Sequence, residues 1–481
     1  MKLEKELGKQ EKLRKISNDP DFELFSPTDF RYGVNDLIPF LSEEAYVKYK
    51  ARVEAALAIQ LYKAGVCSKG VANEIAGACE KVSAQEVYGE EAVIKHDIRA
   101  LANVIRRRVS DRAKPYVHLA ATSYDIVDTA NSLRFRDAIN RVVLVDLIKL
   151  ERALIKFSTR YARSVQVGRT HGQHAEPITF GFFLSYYVSR LGKRIFKIRD
   201  ATDNLTGKFA GAVGVYGPLS LLVQDPEKFE RELLKSLGLK SAEVSTQIVQ
   251  PEPIADLMHS IVSTFGVLAN FSRDMRHLQR TEIGEVSEEY SSKQVGSSTM
   301  PQKRNPVSFE NLESLWKKFM PQMVTVYLDQ VSEHQRDLTN SSSQRYLPEL
   351  IVAFDYCVRR LTRTIWDEEG SRPRIKINVK QMERNLESSV DKMAAEPLYI
   401  LLAAARHKDA HEYVRRVVQR SIDSGSSFRE EVKLDTGLKA YYESVGDKMK
   451  FVENPELYIG LAAKKTEDVA KRWEKLLRKI V

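Results

Sequence analysis

The chain has 481 residues, 43% of them apolar and 29% charged, with a formal net charge of +10 and three cysteines. That is the composition of an ordinary globular protein, which excludes a disordered or membrane-built chain and leaves room for two or three domains. Cys67, Cys79 and Cys357 form no CxxC pair, so neither a disulfide framework nor a zinc cluster is indicated. Lysine and arginine are interleaved with aspartate and glutamate, as in RELLKSLGLKSAE, and only Arg106 to Arg108 form a basic run. This reads as a solvated surface rather than a nucleic-acid patch. No uninterrupted run of about 18 apolar residues occurs, and the opening MKLEKELGKQEKLRK lacks the apolar core of a secretory leader. The expectation is a cytoplasmic protein with neither a membrane nor a nucleic acid as partner.

In chain order, residues 1–24 read as an N-terminal extension and 25–121 as a small helical domain. No proline lies between Pro115 and Pro177, and Val143, Leu147, Leu150, Leu154 and Phe157 recur at spacings of four and three, the seam of a long helix. Further long helices are predicted from Pro177 to about 205, Pro253 to about 286, Pro306 to about 333 and Leu347 to about 366. Pro177, Pro253 and Pro306 stand where prolines open helices, and Pro321 is expected to kink the fourth. The prediction is an all-α fold with an elongated five-helix bundle over 122–370. After the break SRPRIKINVK comes a third helical domain, 371–481. So much apolar helix surface predicts self-association into a closed homo-oligomer.

Polar clusters interrupt this pattern at five places: KHD (95–97), VHLAATSYD (117–125), GRTHGQHAEP (168–177), GSSTMPQKRNP (296–306) and HQRDLTNSSSQR (334–345). Each mixes anion-binding side chains with proton carriers. The fourth is badly built for a helix, since Pro301 and Pro306 remove amide donors, and it reads as a functional loop. His171 and His174 have metal-like spacing, but Gly172 breaks the helical register and no further ligands converge, so no metal is expected. No GxSxG elbow and no GxxxxGK[ST] or GxGxxG segment occurs; GAVGVYG (211–217) fits neither nucleotide-binding spacing.

GSSTMPQKRNP resembles the signature loop of the fumarase/aspartase superfamily. GRTHGQHAEP, ATSYDIVDTAN, MRHLQRTEIGEV, the QRD to SSSQRYLPE segment and RYG (31–33) are similar to the adenylosuccinate lyase family. The resemblance is colinear from about Arg31 to NPELYIG. It implies three helical domains, a bundle shared in a homotetramer with active sites built between subunits, no cofactor, and a purine nucleotide as small-molecule substrate. The implied chemistry is β-elimination, taking adenylosuccinate to AMP and fumarate and the ribotide SAICAR to AICAR and fumarate. Such a reaction needs a base for a proton beside a carboxylate, an acid for the leaving nitrogen, and fixed donors around the growing charge.

By position, Ser297 matches the family's general base, acting as an alkoxide, and His171 its general acid. Lys303 is similar to the lysine that holds the substrate carboxylate, Asn305 to its hydrogen-bonding partner, and Glu310 to the glutamate that pairs with the acid histidine. Arg31, Tyr32, Lys95, His96, Asp97, Thr122, Ser123, Gln247, Asn311, Arg336, Ser341 and Arg345 fall on nucleotide, phosphate or succinyl contacts. His118 matches an active-site histidine, with a packed side chain as its other reading. The loop's glycine and serines are expected to let it close as a lid. Four places differ from the family's pattern: Gln302 stands where histidine is common, Lys95 and Asn311 where arginine occurs, and QPEP (250–253) replaces an arginine-aspartate pair.

Other readings are argininosuccinate lyase, which shares the loop, a cycloisomerase of the same superfamily, and a non-enzymatic helical nucleic-acid-binding scaffold. TSYDIVDTAN lacks the SRNDQ pattern of the first. Neither enzyme has a use for the Arg336, Ser341 and Arg345 set, and a scaffold has no need of Ser297, His171, Glu310 and Lys303 together.

Overall fold

The structure, a computed structural model, describes residues 27–290, 296–367 and 372–480. The expected extension over 1–24 lies outside them. The fold is all-α: long helices carry the chain, and the strands pair only into short two-stranded pieces. The elements used below are α1 (Glu43–Lys63), α2 (Ser123–Ala138), α3 (Leu144–Arg160), β1 (Val165–Thr170), β2 (Gln173–Thr179), α4 (Phe180–Asp203), α5 (Glu252–Leu278), α6 (Val307–Phe319), α7 (Gln322–Leu328) and α8 (Ser343–Ile365).

The described residues form two compact units, one from 27–146, 197–263 and 317–358, the other from 147–196, 264–290, 296–316, 359–367 and 372–480. In the first, Ser42 opens α1 by accepting a hydrogen bond from Ala45 N at 3.1 Å. Val53, Leu57 and Leu61, one turn apart, are then buried in one cluster with Ile126, Ala130 and Leu133 of α2 and Leu233 and Leu234. Each such side chain contributes roughly 1.5–3 kcal/mol of transfer free energy. In the second, a separate cluster joins Leu398, Leu402, Val414, Val417 and Phe428, and a reciprocal cap between Ser427 and Glu430 starts the helix Phe428–Leu434.

Several expectations are corrected. The seam residues Val143, Leu147, Leu150, Leu154 and Phe157 are buried within the single chain, so this seam is not a free surface for self-association. A π-turn over Ile139–Val143 separates α2 from α3. Pro177 does not open a helix: it sits in β2 opposite Val167, and α4 begins at Phe180. A two-stranded hairpin has no inner strand, so a proline without an N–H is tolerated there. Helix α5 ends at Leu278, short of the expected 286, because turns at 280–284 lead to Gly284 with φ 60°. At Pro321 the predicted kink is a full break between α6 and α7. By length and mean hydropathy α5 could cross a membrane, but its apolar stretch is mostly buried in the protein, as in a core helix.

Candidate active site

In the first unit, a cleft of ≈ 950 Å³ collects Lys95, His96, Asp97, Ser123, Gln247, Ser341 and Arg345, residues separated by up to 250 positions in sequence. Local structure explains their presentation. Lys95 ends the helix Ala84–Ile94 in a left-handed conformation, φ 61°, which turns the chain sharply. His96 then caps the next helix, its Nδ1 accepting from Arg99 N at 3.2 Å, which leaves Asp97 at the helix start. Thr122 is the N-cap of α2, and its own amide donates to Asp125 Oδ2 at 2.8 Å. Asp125 is ion-paired with Lys208, both side chains fully buried, and Lys208 Nζ also donates to Gly211 O at 3.1 Å. This buried pair fixes the start of α2 and gives the glycine-rich 211–217 segment a structural use.

His118, with φ 62°, holds Glu54 Oε1 through Nδ1 at 2.6 Å. Burial alone would lower its pKa, but the Glu54 carboxylate outweighs that and the net shift is upward. Arg336 stacks on the ring of Tyr124, 3.5 Å from its centroid, and Tyr124 lines the cleft. Its Nη1 is buried with no hydrogen-bond partner among the described residues. Arg31 and Tyr32 do not line this cleft; Arg31 is exposed and Tyr32 packs edge-on against Tyr356 at 5.1 Å.

In the second unit, GRTHGQHAEP forms the hairpin β1–β2, with His171 and Gly172 as its two-residue turn. Both have positive φ, 54° and 73°, as a type I′ turn demands. Glycine adopts this without cost; histidine is strained, and strain of this kind concentrates at functional positions. The hairpin is anchored by buried Glu285, which accepts from Gln166 Nε2 at 2.5 Å and pairs with Arg169 Nη2 at 2.6 Å and Asn385 Nδ2 at 2.8 Å. His171 projects at the tip, exposed and without a hydrogen bond to any described residue. His174 is accounted for by Ser389 Oγ at 2.7 Å.

The loop 296–306 turns its own amides on Ser297. Met300 N donates to Ser297 Oγ at 3.1 Å and Thr299 N at 3.4 Å. N–H donors aimed at a hydroxyl oxygen favour its negative form. The loop is tied down at its far end: Asn305 Nδ2 donates to Gly296 O at 3.0 Å, Tyr290 Oη bridges Asn305 N and O at 2.9 and 2.8 Å, and Glu288 caps α6 at Ser308 N and Phe309 N. Gly296 is needed for contact rather than freedom, because a Cβ there would collide with the Lys303 carbonyl oxygen. Gln302, Lys303, Asn305 and Glu310 share a second cleft of ≈ 940 Å³ with Arg273, Arg276 and Arg280. Glu310 lies 3.9 Å from Arg276 Nη2 and is half-exposed, and no hydrogen bond or ion pair joins it to His171 within the chain. Asn311 Oδ1 accepts from Arg360 Nη1 at 3.0 Å.

Residues 30–320 match the family described as Lyase. The adenylosuccinate lyase of Archaeoglobus fulgidus is 32% identical over 93% of this chain and 98% of its own length. That of Pyrococcus abyssi is 34% identical over 94% and 99%. The chain belongs to the adenylosuccinate lyase family. Its fold also matches the crystal structure of 3-carboxy-cis,cis-muconate lactonizing enzyme from Pseudomonas putida, with a TM-score of 0.79, 25% identity, and 93% and 99% of the two chains covered.

Two groups of side chains that line the clefts were not singled out from the sequence. In the first cleft these are Tyr46 and Lys50 on α1 and Asn131 and Arg134 on α2. Ser123, Val127, Asn131 and Arg134 are spaced four, four and three, so extending the helical face that carries Ser123 finds them. In the second, Arg273, Arg276 and Arg280 recur every three or four residues toward and just past the end of α5, beside the quoted MRHLQRTEIGEV. Glu313 holds two of them, pairing with Arg273 at 2.6 Å and also with Arg276; the pairs outweigh burial and keep its pKa down at about 2.

Proposed function

We propose that the protein is an adenylosuccinate lyase that releases fumarate by β-elimination, from adenylosuccinate to give AMP and from SAICAR to give AICAR. The observation that carries the reading is the pair of loop amides donating to Ser297 Oγ. A free serine hydroxyl is too weak a base to take a proton from carbon. Donors already aimed at the oxygen lower the cost of the alkoxide without reorganisation in the reaction. In this reading Ser297 removes the proton beside the carboxylate. Lys303 and Asn305 hold that carboxylate as its charge grows, and His171 protonates the departing nitrogen. Glu310 orients His171 and favours its protonated form.

The remaining assignments belong to the same proposal. Lys95, His96, Asp97, Thr122, Ser123, Gln247, Ser341 and Arg345 bind the nucleotide, with His118, Arg336, Arg31, Tyr32 and Asn311 in supporting contacts. His171 and Glu310 do not meet within one chain, so their pairing is proposed between subunits of a homotetramer. Exposed Met320, Val324, Tyr327, Leu328 and Val331, spaced as one apolar face on and around α7, support self-association. A cytoplasmic location and the division into 25–121, 122–370 and 371–481 complete it.

The experiment is to incubate the purified protein with adenylosuccinate, and separately with argininosuccinate, and measure fumarate. Fumarate from the first alone is expected. Fumarate from argininosuccinate alone would overturn the assignment. A cycloisomerase reading, raised by the P. putida likeness, has no use for Ser341 and Arg345 on the wall of the first cleft.

A further inference from the structure

The first cleft contains two buried cations outside the residues assigned above. Lys50 on α1 and Arg134 on α2 are only 5% and 4% exposed, yet both line the cavity. They crowd one aromatic ring: Lys50 Nζ lies 3.9 Å and the Arg134 guanidinium 4.1 Å from the centroid of Tyr46. Lys50 has a carboxylate partner, Asp97 Oδ2, at a long 3.4 Å. Arg134 has none among the described residues; its Nε donates to Asn131 Oδ1 at 2.9 Å, and neither Nη atom has a protein acceptor.

Glu43, which also lines the cleft, acts on Arg134 only beyond ion-pairing distance. A buried guanidinium with no carboxylate in contact is costly, and an aromatic face offsets only part of the cost. Here two like charges flank one ring, which adds repulsion. Burial lowers the pKa of both cations and raises that of Tyr46 to about 12, so the ring stays a neutral phenol and cannot supply the negative charge. Arg134 lines the cavity with both Nη atoms lacking an acceptor among the described residues, and a planar fork suits a phosphate or carboxylate better than any other ligand.

We infer that Lys50 and Arg134 form an oxyanion-binding subsite, separate in sequence from the Ser341 and Arg345 wall, that takes a phosphate or carboxylate group of the bound nucleotide. The ligand's identity rests on the lyase reading above; the subsite itself does not.

The test is calorimetric titration of wild type, Arg134→Met, Arg134→Lys and Lys50→Met with AMP, adenosine, inorganic phosphate and succinate, with thermal melts to confirm folding. For a phosphate ligand, Arg134→Met and Lys50→Met each weaken AMP and inorganic phosphate by at least about tenfold, the loss of one charge-assisted hydrogen bond. Adenosine is unchanged and Arg134→Lys keeps part of the affinity. For a carboxylate ligand, succinate weakens instead and AMP does not. Unchanged affinity for AMP, phosphate and succinate in both folded methionine variants overturns the subsite; should Arg134→Met fail to fold, Lys50→Met and Arg134→Lys decide. Fumarate release by the wild type is measured in parallel, so loss of the lyase reading and loss of the subsite give different results.

Discussion

The two clefts differ in how far one chain finishes them. In the first, the proposed nucleotide contacts are held from behind by buried polar pairs, Asp125 with Lys208 and His118 with Glu54. The second is lined by Lys303, Asn305 and Glu310 but by neither Ser297, set up by its own loop, nor His171, exposed on a strained turn, and the ion pair of Glu310 among the described residues is with Arg276. The proposed recognition residues are therefore organised within a chain, while the proposed acid has no hydrogen-bond partner among the described residues. This is the physical pattern expected where chemistry waits for a neighbouring subunit.

The sharpest way to break that contrast is complementation. His171→Ala alone should lose about 10²–10⁴-fold in kcat, the usual worth of a general acid. Co-expressed with Ser297→Ala, it should recover a measurable fraction of wild-type activity if the two groups act from different chains. Failure to recover, with mixed oligomers present, would place both in one chain.

The next effect is on stability. Asp125→Asn or Lys208→Met leaves one member of a fully buried pair unmatched, at a cost of about 3–5 kcal/mol. Denaturant titration should show this; a loss below about 1 kcal/mol would mean the pair does not organise the start of α2.

Gly296→Ala should push the loop off the Lys303 carbonyl and lower kcat by about 10²-fold with little change in unfolding, since misplacement of about 1 Å costs that much. Unchanged kcat would show that the close approach is not needed for catalysis.

The smallest effect is pH-dependent. Burial raises Asp128 to about 7, although Val249 N donates to its Oδ2 at 2.9 Å. Its folded pKa lies above its unfolded one, so the folded state binds the extra proton and stability falls as pH rises from about 4 to 7. Asp128→Asn should therefore gain on the wild type in melting temperature at pH 8 but not at pH 4. Equal shifts at both would contradict the assignment.

Much of this was legible in the sequence, for local reasons. Proline spacing and the four-three apolar rhythm announced the long helices, and four of the five polar clusters marked the two clefts. What escaped depended on tertiary context. GRTHGQHAEP looked like a loop before a helix because nothing local reveals that Glu285 will pin it as a hairpin. The seam from Val143 to Phe157 looked available for a partner, yet it is buried in its own chain. Gly296 read as flexibility and proved to be contact, a distinction set by the Lys303 carbonyl seven residues on. Arg134 and Lys50 lie outside the five polar clusters, and buried cations are not what an apolar periodicity search reports.

The most direct measurement is on Ser297→Ala, with fumarate release from adenylosuccinate followed alongside binding of the same substrate. The proposed mechanism predicts binding within about threefold of wild type and fumarate release reduced by at least about 10²-fold, since Ser297 acts only in the proton transfer. Release within about tenfold of wild type, with the substrate bound normally, would remove Ser297 as the base.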